Sequence, residues 1–267
     1  MTFTAAGPLL AAGMLVLAAA PLPRAATALS STETAALVKR LAWSSAPAGL
    51  RSLRLRAIEE WTQAEVPPGA RRVRNRETDE VSFYHGVPLE LQLTRNDLPL
   101  SAGAERKQAS ALGRMQRRVD AACGSGDGSD GRLLSLGGEV WTMARFASGF
   151  AWSGAPAAAG RVELSFEPLP GRRPGSRLAR ILGATAGQLE VDPASGQILG
   201  GEFHNIAPVR FGGGLLAHFT DFHGRFRLQP AAGTWVLRSV EVTIEGRELF
   251  HRIHGTETMT YTVEPPQ

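Results

Sequence analysis

Gly187-Gln188-Leu189-Glu190-Val191-Asp192-Pro193-Ala194-Ser195-Gly196-Gln197-Ile198 decides the fold. Leu189 and Val191 alternate with polar neighbours at the period of two that a half-buried strand requires. Pro193 to Gly196 are turn formers, so the strand reverses and pairs with its successor. Downstream, Gly200 to Phe211, Leu215 to Leu228, Thr234 to Glu245 and Glu248 to Val263 read as further strands, with turns at Pro230 to Gly233 and at Gly246. Upstream, Arg161-Val162-Glu163-Leu164-Ser165-Phe166-Glu167-Pro168 alternates in the same way, and Val140 to Trp152 fits either a strand or a short helix. Strands that follow one another at such short spacing make antiparallel neighbours, and this places the chain in the α+β class rather than among βαβ enzymes.

The first half adds helices to that sheet. Ser31-Thr32-Glu33 caps an amphipathic segment that runs to Ala42, and Pro47 and Gly49 end it. Leu50 to Gln63 alternates, with Leu53, Leu55, Ala57 and Glu59 on one side and Arg54, Arg56 and Ile58 on the other. Pro67-Pro68-Gly69 turns the chain, Arg72 to Tyr84 is extended, and His85-Gly86-Val87-Pro88 connects tightly into Leu89 to Leu93. Ser101 to Ala122 is a long helix whose Leu112, Met115, Val119 and Ala122 form a narrow apolar stripe. Cys123 to Gly131 follows as a Gly/Ser/Asp loop.

Residues 1–28 read as a cleavable secretory signal, with an uncleaved membrane anchor as the alternative because no Lys or Arg precedes the apolar run. The apolar run Leu9 to Ala20 is shorter than the roughly 20 residues of a membrane-spanning helix, and Ala26-Thr27-Ala28 is a small-x-small cleavage pattern. The reading is a periplasmic protein, soluble once cut, with residues 29–267 as a single domain. Its single cysteine, Cys123, follows no lipid-attachment pattern and forms no internal disulfide.

Charge excludes more than it assigns. The 29 Lys and Arg against 25 Asp and Glu give +4, but only Lys39 and Lys107 are lysines. The basic clusters Arg71 to Arg76 and Gly171 to Arg173 sit beside turns without stacking aromatics, so no nucleic-acid partner is expected. Gly126-Asp127-Gly128-Ser129-Asp130-Gly131 matches a dinucleotide fingerprint in letters only. It follows a helix, and its aspartates repel a pyrophosphate; as a calcium loop it lacks the closing glutamate. His218 and His223, and His251 and His254, are at odd spacings that place each pair on opposite faces of a strand, so no metal site or cofactor is expected. His85 and His204 stand alone. No nucleophile elbow is present, and Glu202, Asp221, Glu241 and Glu257 lie scattered along strands.

The apolar load of the C-terminal strands is the functional signal. Phe222, Phe226 and Leu228 share one side of their strand, Met259 and Tyr261 share a face of the last, and Phe203, Phe219, Trp235 and Leu237 add to the stock. These nine residues are the expected ligand-binding set.

The order of elements resembles a known group. A post-signal helix and a strand pair lead to Tyr84-His85-Gly86-Val87-Pro88-Leu89, and Asn96-Asp97-Leu98-Pro99-Leu100-Ser101 runs into a basic helix. Arg161 to Pro168, then Gly187 to Asp192 and Ile198 to Phe203, precede a closing meander. This pattern resembles the exported outer-membrane lipoprotein carriers (LolA/LolB-like). The resemblance implies a strongly bent antiparallel sheet, a half-barrel whose concave face is covered by the N-terminal and mid-chain helices over an acyl-binding cavity. It supplies no catalytic residues. The resulting expectation is a non-enzymatic periplasmic carrier of lipid, lipoprotein acyl chains or another hydrophobic ligand, handing over to an envelope protein partner. Two alternatives stay open: an envelope hydrolase assembled from dispersed His, Asp and Glu, and a structural or sensor module binding an envelope protein.

Overall fold

The computed structural model describes residues 28–43, 50, 52–64, 71–124, 133–136, 139–171, 175–212, 216–248 and 251–264. The stretch up to Thr27 that reads as an export signal, the expected Pro67-Pro68-Gly69 turn and the Gly126 to Gly131 run lie outside the described residues.

The elements run α1 (Ser31–Arg40), β1 (Leu55–Ala64), β2 (Arg71–Tyr84), β3 (Val87–Arg95), β4 (Leu98–Pro99), α2 (Ala102–Gly124), β5 (Leu133–Leu136), β6 (Glu139–Thr142), α3 (Met143–Ala147), β7 (Phe150–Pro156), β8 (Val162–Pro168), α4 (Arg177–Leu182), β9 (Thr185–Val191), β10 (Ile198–Asn205), β11 (Val209–Phe211), β12 (Ala217–Ala231), β13 (Thr234–Glu248) and β14 (His251–Val263). This is the α+β class read from the alternation. Twelve strands form one antiparallel sheet in the order β4-β3-β2-β1-β14-β13-β12-β10-β9-β8-β7, with β11 beside β12, while β5 and β6 make a separate hairpin.

Local chemistry sets the element ends. Ser30, one residue earlier than expected, caps α1: its hydroxyl accepts from Glu33 N at 3.2 Å, and the Glu33 carboxylate accepts from Ser30 N at 2.8 Å. Both central residues of three hairpin turns have positive φ, namely His85-Gly86, Asn96-Asp97 and Ala232-Gly233; this backbone twist matches that of the flanking strands. The ambiguous stretch Val140 to Trp152 contains both outcomes, because Thr142 accepts from Arg145 N at 3.1 Å and starts α3 between two strands. Gly246 is not a turn. It lies inside β13 opposite Ile253, and a Cβ there would meet His218 O at 2.5 Å.

The front face of the sheet carries the core. Val162, Leu164 and Phe166 of β8, with Leu189 and Val191 of β9, are buried beneath Leu37 and Leu41, Phe146, and Leu178. The N-terminal segment crosses this face: Leu29 N donates to Gly154 O at 2.8 Å, and the Trp43 ring lies 5.2 Å from Phe226. A second cluster sets Leu50 and Leu53 over Leu55, Ala57, Val81, Val236 and Tyr261. A third gathers Ala184, Val209, Phe211, Ala217 and Phe222.

The mid-chain helix α2 departs from the expectation that it covers the same face as α1. Its one buried side chain, Val119, packs with Val87 and Leu133, and Tyr84 Oη donates to Asp120 at 2.8 Å. Val87 and Tyr84 pair with each other, and along their strands they alternate with the front-facing Val81, so α2 lies on the back face. Among the described residues no helix is long and apolar enough to cross a membrane.

Candidate functional site

Strand register arranges the front face into rows. One row runs Glu77, Glu59, Met259, Val240, Phe226, Gly201, Leu189 and Leu164, each directly opposite the next across β2, β1, β14, β13, β12, β10, β9 and β8. The adjacent row runs Asn75, Trp61, Glu257, Val242, Gly224, Phe203, Gly187 and Phe166. The first row is acidic towards β2, the second carries Glu257 on β14, and both are apolar towards β8. Between the ends, Trp61, Phe203, Phe226, Val240, Val242 and Met259 are only half-buried.

Glycines let aromatic rings lie flat on this surface. A Cβ on Gly201 would approach the Phe226 ring at 2.9 Å, one on Gly224 the Phe203 ring at 2.6 Å, one on Gly187 the Phe166 ring at 2.8 Å and one on Gly255 the Trp61 ring at 2.7 Å. Rings covering strand glycines stabilise a sheet at places where glycine permits a bend.

The nine residues expected to bind a ligand divide among several environments. Phe222, Leu228 and Tyr261 are core, at 8%, 7% and 5% exposure. Phe219 packs with the third cluster, its ring 6.2 Å from Phe211. Leu237 bridges the first two clusters. Phe203, Phe226 and Met259 remain half-buried in the open strip. Trp235 lines a different hollow of about 590 Å³ with Arg161, Glu190, Leu199, Arg227 and Arg238. Glu190 pairs there with Arg161, and with Arg227 at 3.7 Å. This arginine-lined depression is not the enclosed apolar chamber expected from the sequence.

Of the acidic end, the sequence pattern marks only Glu257, as one of several carboxylates scattered along strands. Glu59 faces Glu77 directly, and Asp79 sits in the next row beside Ala57 and Tyr261. Glu77 is neutralised by Arg95 at 2.9 Å and accepts from Asn75 at 2.8 Å. Asp79 is 7% exposed, and its Oδ1 has no hydrogen-bond partner. Burial, then repulsion from Glu90 and Glu77, pushes its carboxyl up to about 6. Burial also pushes Glu59 up to about 7, reinforced by Glu257, Glu77, Asp79 and Glu90. Glu257 rises for the same reason, chiefly burial. Burial and these carboxylates hold the Tyr261 hydroxyl firmly protonated; it points to the exposed rim residue Glu90, with 3.5 Å between Oη and Oε1.

No family model, curated protein or solved structure matches the chain.

Among the described residues several of the dispersed polar groups are taken up in pairs. His223 pairs with Asp221 at 3.3 Å and His254 with Glu245 at 2.7 Å, while Glu241 and Glu202 pair with Arg225 and Arg227. Among the described residues no three His, Cys, Asp or Glu side chains are grouped to hold a metal ion.

Proposed function

We propose that the protein is a non-catalytic binding protein that holds an amphiphilic or lipid-like ligand on the open strip of the front face. The observation that carries this reading is the half-buried run Met259, Val240 and Phe226, flanked by Val242 and Phe203, which lies between the cluster beneath α1, α3 and α4 and the cluster beneath Leu50 and Leu53. Half-covering about ten methylenes contributes roughly 4 kcal/mol at ~0.8 kcal/mol per fully buried methylene, before ordering costs.

A curled, half-barrel sheet would turn this strip inward, and two observations support that shape. β3 and β7 are nine steps apart in strand order, about 43 Å in a flat sheet at ~4.8 Å per strand. Yet the short β5–β6 hairpin contacts β3 at one side and sends Trp141 into the cluster that contains Phe150 and Phe166 at the other. The glycine positions under aromatic rings are a second sign of curvature. Such a shape suits a carrier of the kind the sequence resembles. With that role go export to the periplasm and delivery to an envelope partner.

The test is uptake of the fluorescent apolar probe N-phenyl-1-naphthylamine, with mass spectrometry of lipid extracted from gently purified protein. Saturable uptake that is lost in a folded Val242→Asp variant supports the reading. Absence of both uptake and co-purified lipid refutes it.

A further inference from the structure

We propose that the ligand is a long-chain amine: its ammonium group seats between Glu59 and Asp79, and its chain runs along Met259, Val240 and Phe226. The inference rests on the front-face binding reading and adds the chemistry of the head group.

Three observations lead to it. First, Asp79 is nine-tenths buried and its Oδ1 lacks any donor. A buried acceptor left without a donor is costly, and a ligand N–H at that position satisfies it. Second, Glu59 stands directly opposite Glu77, a like-charge pairing that destabilises an antiparallel sheet. Arg95 neutralises Glu77, but no cation or hydrogen-bond donor among the described residues reaches Glu59 or Asp79. Third, the acidic end is continuous with the apolar track. Met259 lies opposite Glu59, Val240 opposite Met259 and Phe226 opposite Val240, three strand steps that span about 14 Å.

The class of cation follows from the same geometry. The carboxylates do not converge in a trio suited to a metal ion. An ammonium group needs only two or three acceptors for its three donors, and its alkyl chain uses the apolar surface that a bare ion would leave exposed. A fatty acid would bring a further negative charge to an unneutralised acidic end and is disfavoured there.

The experiment is displacement of N-phenyl-1-naphthylamine from the full chain at pH 8, using dodecylamine, dodecanol, dodecanoate and butylamine below their micellar concentrations. Dodecylamine is expected to displace the probe at least tenfold more effectively than dodecanol, with dodecanoate weaker still and butylamine inactive at the same concentrations. In the Glu59→Gln/Asp79→Asn double variant, checked for folding by circular dichroism, the amine preference should fall to within twofold while dodecanol displaces the probe as before. Equal displacement by amine and alcohol overturns the head-group assignment and leaves the apolar site standing. An amine preference that survives in the double variant overturns the assignment to these carboxylates. Failure of every dodecyl compound, with no probe uptake, overturns the underlying binding reading instead.

Discussion

Replacing Asp79 by Asn should stabilise the protein at alkaline pH and leave it unimproved at acid pH. The Asp79 carboxyl is held at about 6, against an ordinary 3.8, because burial and two neighbouring carboxylates penalise its charge. The folded chain therefore keeps a proton that the unfolded chain releases between about pH 4 and pH 6. Protons bound in the native state exceed those in the unfolded state across that window, so stability falls as pH rises. The penalty is absent below about pH 4 and complete above the folded value. A shift of roughly two units at ~1.36 kcal/mol each sets its size at about 3 kcal/mol. Asparagine carries no charge at any pH, but its amide needs a partner of its own, a cost of about 1 kcal/mol at both extremes. The variant should thus gain about 2 kcal/mol at pH 8 and lose about 1 kcal/mol at pH 4. Urea denaturation of both proteins at the two pH values measures the difference, from which the amide cost cancels. An effect of Asp79→Asn that is the same at pH 4 and pH 8 would refute the account of a buried, unneutralised carboxylate.

Three further substitutions test the architecture. Gly224→Val places a Cβ 2.6 Å from Glu241 O and 2.6 Å from the Phe203 ring; overpacking against backbone should cost at least about 3 kcal/mol, read as a lower denaturation midpoint, whereas Gly124→Ala, with open space around it, should cost almost nothing. Leu164→Ala removes a fully buried side chain from the main core and should cost about 3 to 4 kcal/mol; a loss below about 1 kcal/mol would mean that the face beneath α1 is not packed.

Legibility in the sequence followed one-sided burial. β8 was readable because it buries Val162, Leu164 and Phe166 and turns Glu163 and Glu167 outward, so alternation in residue type and alternation in environment coincide. The stripe on α2 was equally plain, since Leu112, Met115, Val119 and Ala122 are all among its covered residues. A stripe, however, names the residues that will be buried and not the surface that buries them, and the back-face position of Val87 and Tyr84 decided that. The acidic end was out of reach for a related reason. Glu59 could be assigned to the side of Leu55 and Ala57, but its partners are Glu77 and, some two hundred residues away in the chain, Met259. Only the closure of β1 against β14 brings Glu257 to the same surface, and no local period encodes that long-range pairing.

One long-range signal was nevertheless present in the sequence. β10 contains Gly201-Glu202-Phe203 and β12 contains Gly224-Arg225-Phe226. Paired antiparallel, they set Phe226 over Gly201, Phe203 over Gly224, and Glu202 opposite Arg225. Sliding one strand by two residues would break that reciprocity, leaving one ring opposite a ring or one glycine opposite a glycine, and would separate the opposite charges. Sliding it by one would turn the rings of one strand to the other face of the sheet. Reciprocal Gly-x-Phe triplets with complementary central charges therefore specify a register. They place Phe203 and Phe226 side by side on the front face, which is where the apolar half of the proposed site begins.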